Sequence, residues 1–421
     1  MYTSLAQKIL TRAAGRKNVN VGDIVVAKVD LAMIHDSGGP RRVAPILQEL
    51  KSKIFDPSKV VLISDHFVSS GTPEGNDILK FTRKWAKQEK VPFYDEQGIC
   101  HVVLPERGHL NPGMLVVGGD SHSPTGGAFG TYMFGIGATE MAGVLATGEI
   151  WIKVPETILL NWSGRLRPAV MAKDMMLFLC RKLGMDGGRY QAIEFSGNAI
   201  EHLTMQERMT LSNMTAELGA QVGLIAPDKK TEDYLQSLGN DPGNWQTLFT
   251  EIKADGIEHH NFDASGLEPQ VAAPHSPSNS SSIGDVEKVN FDVAYIGACT
   301  GAKYTDLKAA ATILKDRTVV STTKLIVAPA SLRDQNKANA NGVMKILEDA
   351  GATFLPNACG ICAGYGTDRL ASGIKCISST ARNFRGRMGA DSSEVWLGSP
   401  MTVAASAING VITDPREFLK S

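Results

Sequence analysis

No run of 18 or more consecutive apolar residues occurs in the chain, so no transmembrane helix is expected. Net charge is nearly absent. Lys and Arg number 43 against 44 Asp and Glu, which leaves no broad electrostatic pull toward nucleic acid or an anionic membrane. Cysteine is scarce, with six in 421 residues. That is no disulfide framework, and free or metal-bound thiols in a reducing cytosol suit it better. The opening stretch, MYTSLAQKILTRAAGRKNV, lacks the continuous apolar core of a secretory signal. It is basic and amphipathic, a pattern that a mitochondrial presequence shares. The first helix of a cytoplasmic protein is the preferred reading. No internal repeat of fixed period is visible.

What is there fits a globular protein of two to four domains. Hydrophobic residues make up 43% and charged residues 21%, enough for sizeable cores. Three cysteines carry most of the information. Cys299 lies in IGACTGAKYTDLKAA, and Cys359 and Cys362 lie in LPNACGICAGYG. Three thiolates can hold three corners of a [4Fe–4S] cube. An iron left without a protein thiolate would be a Lewis acid open to substrate. The spacing alone also allows a redox pair, a three-cysteine zinc site needing a fourth ligand, or unrelated buried thiols.

Short apolar runs alternate with helical stretches, the repeating unit of an α/β fold, in which ligands gather at the carboxyl ends of strands. Asp23–Val29 and Val60–Ile63 read as buried strands, Ile78–Glu89 as a helix, and Met114–Gly118 as a strand running into Gly119-Asp120-Ser121-His122. Glycine is dense from Gly118 to Gly143, which suits close backbone approach to a cofactor or a tight loop and closely packed helix. Glu156–Trp162 reads as the first strand of a second unit, with helices at Ala172–Leu183 and Thr204–Gly219. Ser265–Ser282, rich in Pro and Ser, reads as a linker. Strands at Asp292–Ile296, Leu325–Pro329 and Thr353–Leu355 follow, the first delivering Cys299 and the last Cys359. The expected division is 1–155, 156–283 and 284–421.

Polar clusters mark the ends of these elements. Asp65-His66 follows VVLI, Asp120-Ser121-His122 follows MLVVG, and His101 sits in GICHVVLPERGH. An Asp beside a His tunes its proton affinity for acid work. Asn213 and Glu217, four apart, are expected on one face of a helix. Arg382, Arg385 and Arg387 crowd one turn, and arginine forks bind carboxylates bidentately. Arg382 and Arg387 are the candidates for a carboxylate clamp. Each residue alone also reads as an ordinary structural group.

Together these motifs resemble the large subunit of the aconitase superfamily, in the isopropylmalate isomerase and homoaconitase branch. The resemblance runs end to end, through SLAQKILTRAAGR, GDIVVAKVDLAMIHD, SDHF, HVVLPERGHLNPG, GGDSHSPTGGAFG, FGIGATEMAGVLATG, SNMTAELGA, GACTGA, NACGICAG, RNFRGRMG and SPMTVAASAINGVITDP. It implies three α/β/α domains around one [4Fe–4S] cluster per chain, held by Cys299, Cys359 and Cys362 with one iron not ligated by cysteine. It implies reversible dehydration of a 2- or 3-hydroxy di- or tricarboxylate, with a 2-alkylmalate such as isopropylmalate leading. Asp65 and His66 resemble the pair handling the leaving hydroxyl. His101, Asp120, His122 and Glu217 resemble the groups around the open iron. Ser121, Asn213, Arg382 and Arg387 resemble the substrate-binding set. The family's fourth, swivelling domain, with its serine base, is expected on a separate small subunit. Alternatives are a homoaconitase or dimethylmalate-type hydratase, a non-catalytic iron or redox sensor, and a zinc-stabilised binding protein. Four positions depart from the family pattern: Ala298 and Gly301 around Cys299, Ile361 between the paired cysteines, and Ala381 before Arg382.

Overall fold

The computed structural model describes residues 3–249 and 257–419. Three largely parallel sheets follow one another along the chain. The first has five strands, in spatial order Phe93–Tyr94, Val60–Ile63, Leu31–His35, Leu115–Gly118 and Tyr132–Gly135. The second has four, Val222–Ile225, Ala192–Ser196, Thr157–Ser163 and Glu258–Asp263. The third has seven, Ser280–Ser282, Gln270–Ala272, Glu394–Leu397, Lys375–Ser378, Val293–Ile296, Lys324–Val327 and Thr353–Phe354.

Strands such as VVLI and LVVG are apolar throughout because both faces are covered, as parallel sheets require. Val61, Ile63 and Val116 on one face join a core that also contains Ala294, Ile296 and Val327 of the third sheet. Val60, Leu62, Leu115 and Val117 on the other face pack with the first helix, Leu5–Ala13. Ser4 caps that helix, accepting from the Gln7 N–H at 3.2 Å while Gln7 Oε1 accepts from the Ser4 N–H at 3.1 Å. Leu5, Ile9 and Leu10 are fully buried, each worth about 1.5–3 kcal/mol. The helix Leu5–Ala13 is therefore built into the core through its apolar face.

Three expectations are corrected. Asp23–Val29 forms a strand, Ile24–Lys28, but among the described residues it pairs only with Glu149–Lys153 as an antiparallel ribbon, leaving Ile24, Val26 and Trp151 exposed. The helix expected over Thr204–Gly219 stops at Asn213 and continues as a 3₁₀ turn, Met214–Leu218. The Pro/Ser-rich stretch is no linker. Its strands Gln270–Ala272 and Ser280–Ser282 pair antiparallel with each other, and Ala272 pairs with Leu397. A boundary at residue 283 thus leaves two strands of the third sheet on the wrong side. Backbone pairing and a few buried apolar side chains, Leu267, Val271 and Ala272, hold this stretch, too few to write an apolar period.

Limited proteolysis of the native protein should leave residues 265–282 uncut. Early cleavage there, detected by mass spectrometry, would restore the linker reading.

Candidate active site

The first and third sheets aim the carboxyl ends of their strands at one small cavity. Asp65, His66, His101, Asp120 and His122 line it from the first unit. Cys299, Cys359, Cys362 and Arg387 line it from the third. Asn213 and Glu217 stand one contact behind, on Cys299 and His122, and Arg382 joins Glu217 to Ser121 beyond them. Asn213 and Glu217, on either side of the helix break, serve different partners.

Asp36, at the end of strand Leu31–His35, is fully buried and accepts the backbone N–H groups of Asp65, His66 and Phe67 at 3.2, 3.0 and 2.8 Å. That fixes the turn presenting Asp65 and His66. Asp65 Oδ1 meets His66 Nδ1 at 2.6 Å, and Asp65 Oδ2 accepts from the Cys100 N–H at 2.8 Å. The His35 ring stacks on His66 with centroids 4.4 Å apart. Burial alone would lower the His66 pKa, but the Asp65 charge and hydrogen bond, with Asp36 and Asp120 beyond, raise it to about 10. Asp65 is correspondingly held well below the carboxylate range by His66, against its own burial. The pair is an imidazolium–carboxylate.

Asp120 Oδ1 meets His101 Nε2 at 2.7 Å and accepts the His122 N–H at 2.8 Å. His122 Nε2 lies 3.2 Å from Glu217 Oε1, which also accepts from Arg382 Nε. Arg382 further donates to Ser121 Oγ at 2.9 Å. Burial would raise Glu217, but His122 and Arg382 pull it down, so it stays ionised. Burial, then Arg382, lowers His122. Glu217 Oε2, His101 Nδ1 and Arg387 Nε are buried without partners.

Ala298 takes a left-handed φ of 70°, turning Cys299 into the cavity. Asn213 Nδ2 donates to Cys299 Sγ at 3.2 Å and to Thr125 Oγ1 at 2.8 Å. A hydrogen bond from Cys359 brings the Cys362 pKa down to about 6 against burial, with Arg387, Arg382 and Lys173 adding to the effect. The Gly301 departure has a steric reason. A Cβ there would lie 2.1 Å from Ser379 Oγ and 2.6 Å from the Ser379 carbonyl oxygen. The Ser379 hydroxyl accepts from the Gly297 N–H at 3.0 Å and donates toward the Gly297 carbonyl at 3.1 Å. Polar material absent at position 301 is thus supplied from the neighbouring loop.

Three sulfurs on one cavity wall, flanked by cations and an amide donor, suit the thiolates of an iron–sulfur cluster. The orphaned polar atoms nearby are what a polar occupant would satisfy. The model of the Aconitase family (aconitate hydratase) matches residues 7–291 and 284–410. The chain belongs to the aconitase family. That membership implies a [4Fe–4S] cluster, and the donor set fits one. Over 421 residues the chain is 42% identical to 3-isopropylmalate dehydratase large subunit 1 of Methanopyrus kandleri, covering 100% of both chains. It is 40% identical to the probable 3-isopropylmalate dehydratase large subunit of Methanothermobacter thermautotrophicus, covering 99% of both. It is 39% identical to the probable methanogen homoaconitase large subunit of that organism, covering 98% of both. No helix among the described residues is long and apolar enough to cross a membrane.

Beyond the expected aconitase-family residues, the site recruits His35, Asp36, Lys173 and Lys303. His35-Asp36 carried the same signal as Asp65-His66, an apolar strand ending in a charged pair. The lysines gave none, since nothing local distinguishes a buried lysine from a surface one.

The His66–Asp65 pair has a pH signature. His66 rises from 6.5 to about 10, so between those values the folded chain holds a proton that the unfolded chain has released. Its contribution to stability is complete below pH 6.5 and lost as pH rises toward 10. Asp65→Asn should remove this dependence, on the order of a few kcal/mol in denaturant unfolding. The wild-type-minus-mutant difference isolates the pair. Parallel pH profiles would refute the assignment.

Proposed function

We propose that the chain is the large, cluster-bearing subunit of a hydro-lyase or isomerase that dehydrates and rehydrates a hydroxy-dicarboxylate, with a 2-alkylmalate such as isopropylmalate as substrate. The observation that carries this reading is the single cavity on which three cysteines, the His66–Asp65 imidazolium and an unpartnered Arg387 N–H converge. Full-length similarity to proteins named 3-isopropylmalate dehydratase large subunit supports it. Cys299, Cys359 and Cys362 would hold a [4Fe–4S] cluster, leaving one iron without a protein thiolate. When bound, that cluster supplies a Lewis acid for a hydroxyl leaving group.

The chain's own residues do the rest. His66, kept protonated by Asp65, is the general acid for the departing hydroxyl. Asp120 orients His101 and His122 around the same space. Arg387 presents a guanidinium N–H to a substrate carboxylate. Arg382, tethered to Glu217 and Ser121, places a second fork at the cavity's outer edge. The base that takes the proton alpha to a carboxylate, a serine, is assigned to a separate small subunit carrying the swivelling domain. The relatives' designation as large subunits supports such a partner. The homoaconitase reading stands second, favoured by the 39% identity to a relative of that name.

The test is anaerobic co-purification with the small subunit, followed by ultraviolet detection of alkene acid from 2-alkylmalates, dimethylmalate and homocitrate. Turnover of a 2-alkylmalate that vanishes on cluster oxidation is expected. Preference for homocitrate would install the second reading, and a loaded cluster without turnover would remove both. Cys299→Ser, Cys359→Ser and Cys362→Ser should each abolish visible absorbance and activity together. Asp120→Asn should keep the absorbance while lowering kcat by about 10²–10⁴. Full activity in a colourless serine variant would overturn the cluster assignment.

A further inference from the structure

Lys173 is the second residue of the helix Ala172–Leu183, on the second unit, and only 1% of it is exposed. Its Nζ donates to the carbonyl oxygens of Ser379, at 2.8 Å, and Thr380. Those residues begin the loop that leaves strand Lys375–Ser378 and carries Arg382. Thr300, next to Cys299, donates to the same Ser379 oxygen at 3.0 Å. One ammonium group therefore joins the second unit to the loops bearing Cys299 and Arg382.

No carboxylate lies within ion-pair distance of Lys173 among the described residues. The other fully buried lysine at this site, Lys303, has Asp306 at 2.7 Å. A lone buried ammonium is costly and its charge must be met by an anion nearby. The groups whose charge favours protonated Lys173 are first Cys362 and then Glu217. Burial pulls the Lys173 pKa down to about 8 against them. Two carbonyl acceptors and the charges of Cys362 and Glu217 are thus what favour the ammonium there. The chain has placed a buried ammonium one shared carbonyl away from Thr300, the neighbour of Cys299.

We infer that Lys173 is a positioning residue with two separable effects: its charge sets the electrostatics of the cluster held by Cys362, and its two hydrogen bonds hold the Arg382 loop in place for substrate. The inference rests on the cluster reading above. A positive charge near a redox centre favours the reduced form, so its removal makes the potential more negative. Loosening the loop weakens carboxylate binding and raises KM more than it lowers kcat.

Three variants of the holoenzyme with its small subunit separate the effects. Lys173→Met removes charge and donors, Lys173→Gln removes charge and keeps donors, and Lys173→Arg keeps both. Iron and sulfide content are measured first, and an iron-free wild type would refute the cluster reading rather than the role of Lys173. With clusters loaded, Lys173→Met should show a more negative midpoint potential and a several-fold higher KM. Lys173→Gln should shift the potential with KM near wild type, and Lys173→Arg should match wild type in both. Wild-type potentials in the two neutral variants would overturn the inference, as would a shifted potential in Lys173→Arg. A measurement on the intact chain decides the matter even where the neutral variants fail to fold. In ¹⁵N-lysine-labelled wild type, the ammonium signal that is missing from Lys173→Arg should move when the cluster is reduced. A signal indifferent to reduction overturns the inference.

Discussion

The centre of this molecule depends on keeping ionised groups charged where there is almost no water. Asp36, Asp65, Glu217, Lys173 and Lys303 are all essentially buried. An isolated charge would be intolerable at any of these places. The chain meets the constraint by giving these charges an opposite one or several hydrogen-bond partners. Asp36 takes three backbone N–H groups, Asp65 takes His66, and Glu217 takes Arg382 and His122. The Asp36 bonds join the turns after two neighbouring strands, and Glu217 joins His122 of the first unit to Arg382 of the third. Electrostatic satisfaction and active-site geometry are therefore the same requirement here.

The parallel sheets make this possible. Ending several strands on one side gives many loops that converge without any crossing. Hydrophobic burial on both faces of each strand supplies the rigidity that holds charged side chains to within hydrogen-bonding distance. The break at Asn213 serves the same purpose. A continuous helix would send Asn213 and Glu217 along one line, whereas the 3₁₀ turn lets one reach Cys299 and the other His122.

Much of this was legible in the residues. Strands such as VVLI and LVVG were readable because burial on both faces writes a continuous apolar run. The site residues after them were readable because a charged pair ending such a run is conspicuous. Ile24–Lys28 misled because an exposed ribbon of β-branched residues looks like a buried strand. Ser280–Ser282 was invisible because its place in a sheet is set by backbone pairing. Lys173 could not be read at all, since its burial depends on loops more than two hundred positions away in sequence. Gly301 read only as a departure from the family pattern, and the position of Ser379 supplies its steric reason.

The hydrogen bond from the Cys359 N–H to the Asp65 carbonyl, at 2.8 Å, links the first and last thirds of the chain. With Arg387 also on the wall, the cavity has no complete outline until nearly the whole polypeptide has left the ribosome. Contacts of such long sequence separation form late in folding. Loading of this pocket is therefore an event of the finished chain, and a nascent or truncated product exposes unclaimed thiols instead of a metal centre.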